Sequence, residues 1–349
     1  MQSADSLDSL ITLLDQIYEE TKTNTAGKVA DYIPQLADVN PDLYGVAFCS
    51  IDGAVHCIGD TEQQFCLQSC CKPLNYCYAR CINEIDVHQH VGYEPSGRSF
   101  NSFVLNDDGL PHNPMINAGA IMVSSLIHPT DEPSVRFSSV KQFYQTMGGK
   151  VGSVGFDNGV FLSEKHHADR NTSLAYYMRE NKAFFNSPSP NEIQDSLNLY
   201  FQCCSITMSC RTCSAIAGTL ANSGISPVNK EAVVPKDIVR DCLSLMYACG
   251  MYDFSGQFAF KIGLPAKSGV SGCLMLVIPN VGGVCIWSPR LDRMGNSVRG
   301  VAFCQRLAEL TQNRFHIFDS VVSTLGSSAQ PPIALPDCGD VWQLSLIHI

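Results

Sequence analysis

The chain has 349 residues, 45% of them hydrophobic and 16% charged, with a formal net charge of −10. That length and apolar content suffice for one large domain or two intimate ones. The acidic balance, with no basic cluster, argues against a nucleic-acid or anionic-membrane partner, and no apolar run approaches the ~20 residues of a membrane span.

Leu7, Leu10, Ile11, Leu13, Leu14 and Ile17 recur at helical spacing and predict an amphipathic first helix. Tyr44 to Ile51 reads as a strand, Asp52-Gly53 as a turn, and Ala54 to Gly59 as the returning strand. From about 69 to 260 the pattern is mostly helical, with Asp195 to Phe201, Cys210 to Ala221 and Val239 to Cys249 as its clearest segments. Gly272 to Pro279 and Gly283 to Ser288 predict a second hairpin, and a helix follows from about Ser297 to Leu310. Strands from both chain ends around a helical middle imply one antiparallel sheet with a large helical insertion. The organisation expected is an N-terminal helix over 1–27, a main domain over 28–318 and a poorly structured tail over 319–349. The sheet of that main domain falls at about 43–60 and 265–290, its helical part at about 69–260.

Seventeen cysteines do not form a disulfide pattern, because the count is odd and many lie in apolar segments. Cys210-x-x-Cys213 has no second pair at zinc-ribbon spacing and His88-x-His90 has no evident third ligand, so no metal site is expected. The N-terminal sequence is neither a secretory signal nor an Arg-rich transit peptide, so the chain as written reads as cytoplasmic.

Chemistry concentrates at Ser69-Cys70-Cys71-Lys72. On a helix beginning near Ser69, the hydroxyl and the amine three residues on share a face. A serine hydroxyl needs a base, and a lysine serves only if burial or a neighbouring cation pulls its pKa far below about 10.4. The apolar surroundings Cys66-Leu67, Cys70-Cys71 and Leu74 suit such burial, and Pro73 suits a first helical turn. Ser-x-x-Lys is thus the pattern of serine acyl transfer without histidine.

The blocks around this tetrad resemble the serine-dependent glutaminases of the β-lactamase-like superfamily, especially the animal phosphate-activated type. The resemblance runs through Ala30 to Leu36, Pro111 to Ala120, Ser163-Glu164, Asp169 to Asn171, Tyr200 to Gln202, Gly250 to Gly256 and Leu264 to Val270. It implies an α/β fold of the β-lactamase and penicillin-binding-protein type, with 28–318 as the catalytic domain. It also implies hydrolysis of L-glutamine, with Ser69 as nucleophile, Lys72 as base and Tyr252 sharing proton transfer. Backbone amides of Ser69 and Val270 would form the oxyanion hole. Asn117, Glu164, Asn171 and Tyr200 would hold the α-amino and α-carboxylate ends, and Tyr32 would close the pocket. Glu164 suits the substrate ammonium, while amide and phenol donors suit its carboxylate. Lys267-Ser268-Gly269 resembles the Lys-Thr-Gly strand that edges such sites.

No metal or cofactor is implied. Phosphate activation through the loop at Gly97 to Leu105, a homodimer or homotetramer, and a mitochondrial location for a longer form are. Rival readings are a β-lactamase-like hydrolase, a catalytically dead scaffold subunit, and a cysteine amidohydrolase using Cys70 or Cys71. The first lacks a second Ser-Asp-Asn or Tyr-x-Asn motif, the second would have lost Ser69, Lys72 or Tyr252, and the third lacks a paired histidine.

Overall fold

A computed structural model describes residues 7–83, 86–97 and 102–318. The expected tail over 319–349, and residues 98–101 of the loop to which phosphate regulation was ascribed, lie outside the described residues.

The apolar runs at the two ends of the described chain form one antiparallel sheet. Its strands are β1 (Gly45–Ser50), β2 (Val55–Gly59), β6 (Ala266–Ser268), β7 (Cys273–Ile278) and β8 (Gly282–Trp287), in the order β2-β1-β8-β7-β6. The pairing that joins the two ends of the chain is β1 with β8, from Gly45 opposite Trp287 to Ser50 opposite Gly282. Gly53, at φ +98°, turns the β1–β2 hairpin in a conformation that a side chain would resist.

Strand alternation sends each set of side chains to a different layer. Leu274, Leu276, Ile278, Val284 and Ile286 pack with Leu10, Leu14 and Ile17 of helix Leu7–Thr21, and with Phe303 and Leu307 of helix Val298–Leu310. Cys273, Met275, Val277, Cys285 and Trp287 face the opposite layer, where helix Cys210–Ala221 lies on the sheet. Burial on both faces explains why these strands are continuously apolar rather than alternating. A Cβ on Gly283 would collide with Ala217 and the Gly218 nitrogen, so this glycine sets how closely helix and sheet approach.

The helical middle comprises Cys71–Ile82, Asn117–Ser125, Pro133–Met147, Asn158–His166, Asp169–Glu180, Pro190–Cys204, Cys210–Ala221 and Lys236–Cys249 among its longer members. The helix anticipated from Asp195 begins at Pro190, where Ser189 and Glu192 form a reciprocal capping box and proline occupies the first turn. That first turn is polar, so apolar periodicity does not reveal it.

A second sheet was not foreseen: β3 (Phe65–Cys66), β4 (Gly155–Phe156) and β5 (Ile206–Met208), in the order β3-β5-β4. Strands of two or three residues are too short to display a period of two. This small sheet matters because β3 runs directly into the Ser69 turn.

Candidate active site

The turn carrying Ser69 is anchored at its start by the Leu67 amide, which donates to the Ile206 carbonyl at 2.9 Å. Gln68 then adopts φ +49°, a left-handed conformation unfavourable for a residue with a Cβ. A short 3₁₀ turn over Gln68–Cys70 leads into helix Cys71–Ile82, placing Ser69 just ahead of the positive end of the helix dipole. Ser69 is 9% exposed and Lys72 only 1%.

Lys72 donates to Asn117 Oδ1 at 2.7 Å, and the Tyr200 hydroxyl donates to the same oxygen at 3.3 Å. Asn117 Nδ2 in turn donates to Asn171 Oδ1 at 3.0 Å. Asn117 thus joins Lys72 to two residues expected to hold substrate. Among the described residues no carboxylate forms an ion pair with Lys72, and burial pulls its ammonium pKa down to about 8. The environment required of a lysine base is therefore built around it.

On another side of the turn, Glu164 Oε1 accepts from the Tyr32 hydroxyl at 2.6 Å and from Gln68 Nε2 at 2.9 Å. Burial raises the Glu164 pKa, opposed by these two donors and by the charge of His167. Tyr32 is 44% exposed, yet its hydroxyl points inward to the carboxylate, the disposition of a residue closing a pocket. Gln68 had no role in the sequence reading. Its contact with Glu164 depends on the left-handed turn, which residue type alone does not announce.

Tyr252 follows helix Lys236–Cys249 and sits at φ +53°, a second strained backbone position at this site. Ser255 Oγ braces the turn, accepting from the Met251 amide at 2.9 Å and donating to the Tyr252 carbonyl at 2.7 Å. Burial drives the Tyr252 phenol pKa far above its ordinary value, opposed by the neighbouring Ser69 side chain. A cavity of about 440 Å³, bounded by Pro95, Asn113, Ile116, Cys249 and Asp253, opens onto Tyr252. Gly269 presses on the Ser69 turn, since a Cβ there would lie 2.7 Å from the Leu67 oxygen and 3.4 Å from the Cys70 nitrogen. Val270, the next residue, packs against the cluster of Ile33, Leu36, Cys66 and Val160.

The structure therefore gathers the sequence-predicted residues into two linked groups on the Ser69 turn. Lys72, Asn117, Asn171 and Tyr200 form one, and Tyr32, Glu164 and the unforeseen Gln68 the other; Tyr252 meets the serine itself. Elsewhere, His88 uses both ring nitrogens, with the Tyr76 hydroxyl at 2.7 Å and the Val91 carbonyl at 3.0 Å. Cys213 does acquire sulfur neighbours, Cys273 and Cys285 from β7 and β8, with all three ligand atoms within 4.8 Å of one another. Spacing in the sequence could not show this, because the three come from separate elements.

A five-stranded antiparallel sheet between helices, with Ser-x-x-Lys at the mouth of a buried helix, defines an α/β protein of the β-lactamase-like fold. The relatives narrow that class. The chain belongs to the glutaminase family, whose model matches residues 27–318. It is 50% identical over 309 residues to the mitochondrial liver isoform of glutaminase from Rattus norvegicus, covering 88% of this chain and 50% of that protein. A glutaminase from Trichormus variabilis is 40% identical, with 89% of this chain and 91% of that protein covered. Among solved structures, the probable glutaminase ybaS superposes with a TM-score of 0.81 at 31% identity, covering 87% of this chain and 97% of the other. The chain spans about half the length of the animal relatives it matches. No helix among the described residues is long and apolar enough to cross a membrane.

Proposed function

We propose that this chain hydrolyses L-glutamine to L-glutamate and ammonia through an acyl-enzyme on Ser69. The observation that carries the reading is a buried Lys72 with no carboxylate partner among the described residues, one turn from Ser69, with the Tyr252 phenol beside the serine on a second strained segment. At mildly alkaline pH Lys72 is a free amine able to take the Ser69 proton as the hydroxyl attacks the side-chain carboxamide. The oxyanion then falls to the backbone amides of Ser69 and Val270. Tyr252, kept protonated by burial, is suited to donate to the leaving nitrogen, so base and acid fall to different residues. Water attacks the ester in the second half, returning the serine.

Substrate ends follow from charge. Glu164 uses Oε1 for Tyr32 and Gln68, which leaves Oε2 for the α-ammonium of an amino acid. Asn117, Asn171 and Tyr200 offer uncharged donors and acceptors to the α-carboxylate and to Lys72. A solved relative described in a tris and glutamate form, 32% identical with a TM-score of 0.81, supports an amino-acid site in this fold. The chemistry proposed uses no metal or cofactor. Activation by phosphate, a homodimeric or homotetrameric assembly and residence of a longer form in mitochondria belong to the same reading.

The test is ammonia release from glutamine by the purified chain beside Ser69→Ala. The reading expects release by the parent and none above background by the variant. Equal rates would remove Ser69, and an inactive parent would favour the scaffold reading. Ring opening of a β-lactam without ammonia release from glutamine would favour the hydrolase rival.

A further inference from the structure

Lys267 in β6 is 0% exposed, and its ammonium donates to the Gly250 carbonyl at 3.1 Å and the Ser268 carbonyl at 2.7 Å. No carboxylate pairs with it among the described residues. Burial, and then the charge of Lys72, pulls its pKa down to about 7. A buried cation without an anion is unfavourable for folding, and an apolar residue of similar length would fill the same space. The ammonium therefore invites a role outside packing.

Its contacts converge on one neighbour. The nitrogen lies 4.6 Å from the centre of the Tyr252 ring, and as a neutral amine above about pH 7 it still has N–H donors for the two carbonyls. Gly250, whose carbonyl it binds, stands two residues before Tyr252 and also accepts from the Ser268 amide at 3.0 Å. A Cβ on Gly250 would run into the Ala266 carbonyl, so this segment is pressed directly against β6. Tyr252 itself holds an unfavourable backbone conformation, which persists only where the surroundings enforce it.

We propose that Lys267 is a positioning residue for the reaction, clamping the Gly250–Tyr252 turn from below and the Tyr252 ring from its face so that the phenol stays on Ser69. The proposal rests on the reading of Ser69 and Tyr252 given above. The hydrogen bonds and ring contact given for the lysine go to β6 and the Gly250–Tyr252 segment rather than to Glu164, Asn117, Asn171 or Tyr200, so its loss should affect turnover rather than binding.

The experiment is a double-mutant cycle on the full chain with glutamine as substrate: Lys267→Met, Tyr252→Phe and both together. Lys267→Met is expected to lower kcat by about 100-fold, on the scale of a displaced acid–base group, with KM within about threefold and thermal stability no lower. In the Tyr252→Phe background the same change should lower kcat by less than about threefold, because the residue it positions is already disabled. Lys267→Gln, a neutral donor to the same carbonyls, should recover kcat at least about tenfold over Lys267→Met, since it restores the clamp. An equal loss in both backgrounds, a loss confined to KM, or a Gln variant no better than Met would overturn the proposal. Should Lys267→Met fold poorly, the Gln variant in the two backgrounds decides alone: a loss confined to the Tyr252 background supports the clamp, and an equal loss in both refutes it. Activity in Ser69→Ala would instead overturn the acyl-enzyme reading, so the two failures are distinguishable.

Discussion

Replacing Lys72 by methionine should abolish turnover and yet stabilise the fold in acid. The side chain is 1% exposed, and burial lowers its ammonium pKa from 10.5 to about 8. That fall corresponds to about 3 kcal/mol of native-state stability forgone when the group is charged. The folded pKa lies below the unfolded one, so between about pH 8 and 10.5 the unfolded chain binds more protons. Stability on this account rises with pH through that window, and the penalty is complete below about 8. Methionine removes the penalty at similar volume but forfeits the hydrogen bond to Asn117, worth about 1 kcal/mol net. Asn117 Oδ1 keeps its Tyr200 donor. The balance is a gain of about 2 kcal/mol near pH 6, fading by about pH 10. Urea unfolding followed by far-ultraviolet circular dichroism at several pH values measures it through the midpoint at constant slope. A variant less stable than the parent near pH 6, or a difference independent of pH, would refute the reasoning.

Glu164→Gln should raise KM for glutamine by about ten- to 100-fold while the melting temperature holds, since a charge-assisted hydrogen bond to the substrate ammonium is worth about 1.5–3 kcal/mol; an unchanged KM would take Glu164 out of the pocket. The pH profile of kcat/KM should rise through about 8 as Lys72 loses its proton, and a profile flat from about pH 6 to 9 would exclude it as the base.

Much of the scaffold was legible in the chain itself. The turn at Asp52-Gly53 and the apolar runs Cys273–Ile278 and Gly282–Trp287 announce two hairpins, because turn chemistry and strand burial are local properties. That β1 lies beside β8 was expected only as a common sheet; its register depends on contacts across more than two hundred residues. The β3–β5–β4 sheet was invisible, each strand being shorter than any detectable period. At the site, the resemblance supplied Ser69, Lys72, Tyr252, Glu164 and their companions by residue type and order. It supplied neither Gln68, whose amide reaches Glu164 through a left-handed turn, nor the contact by which Asn117 touches Lys72 as well as Asn171.

The sequence by itself determined which chemical groups the protein carries, in what order, and which segments prefer strand or helix, since these follow from side-chain type and local periodicity. Only the tertiary structure decided what those groups can do. The acidity of Lys72 and Lys267 is set by the water and counter-charges that packing removes from around them, and the strain at Gln68 and Tyr252 by the elements that hold them there. The proposed role of Lys72 as a base follows from what the rest of the chain has placed around it.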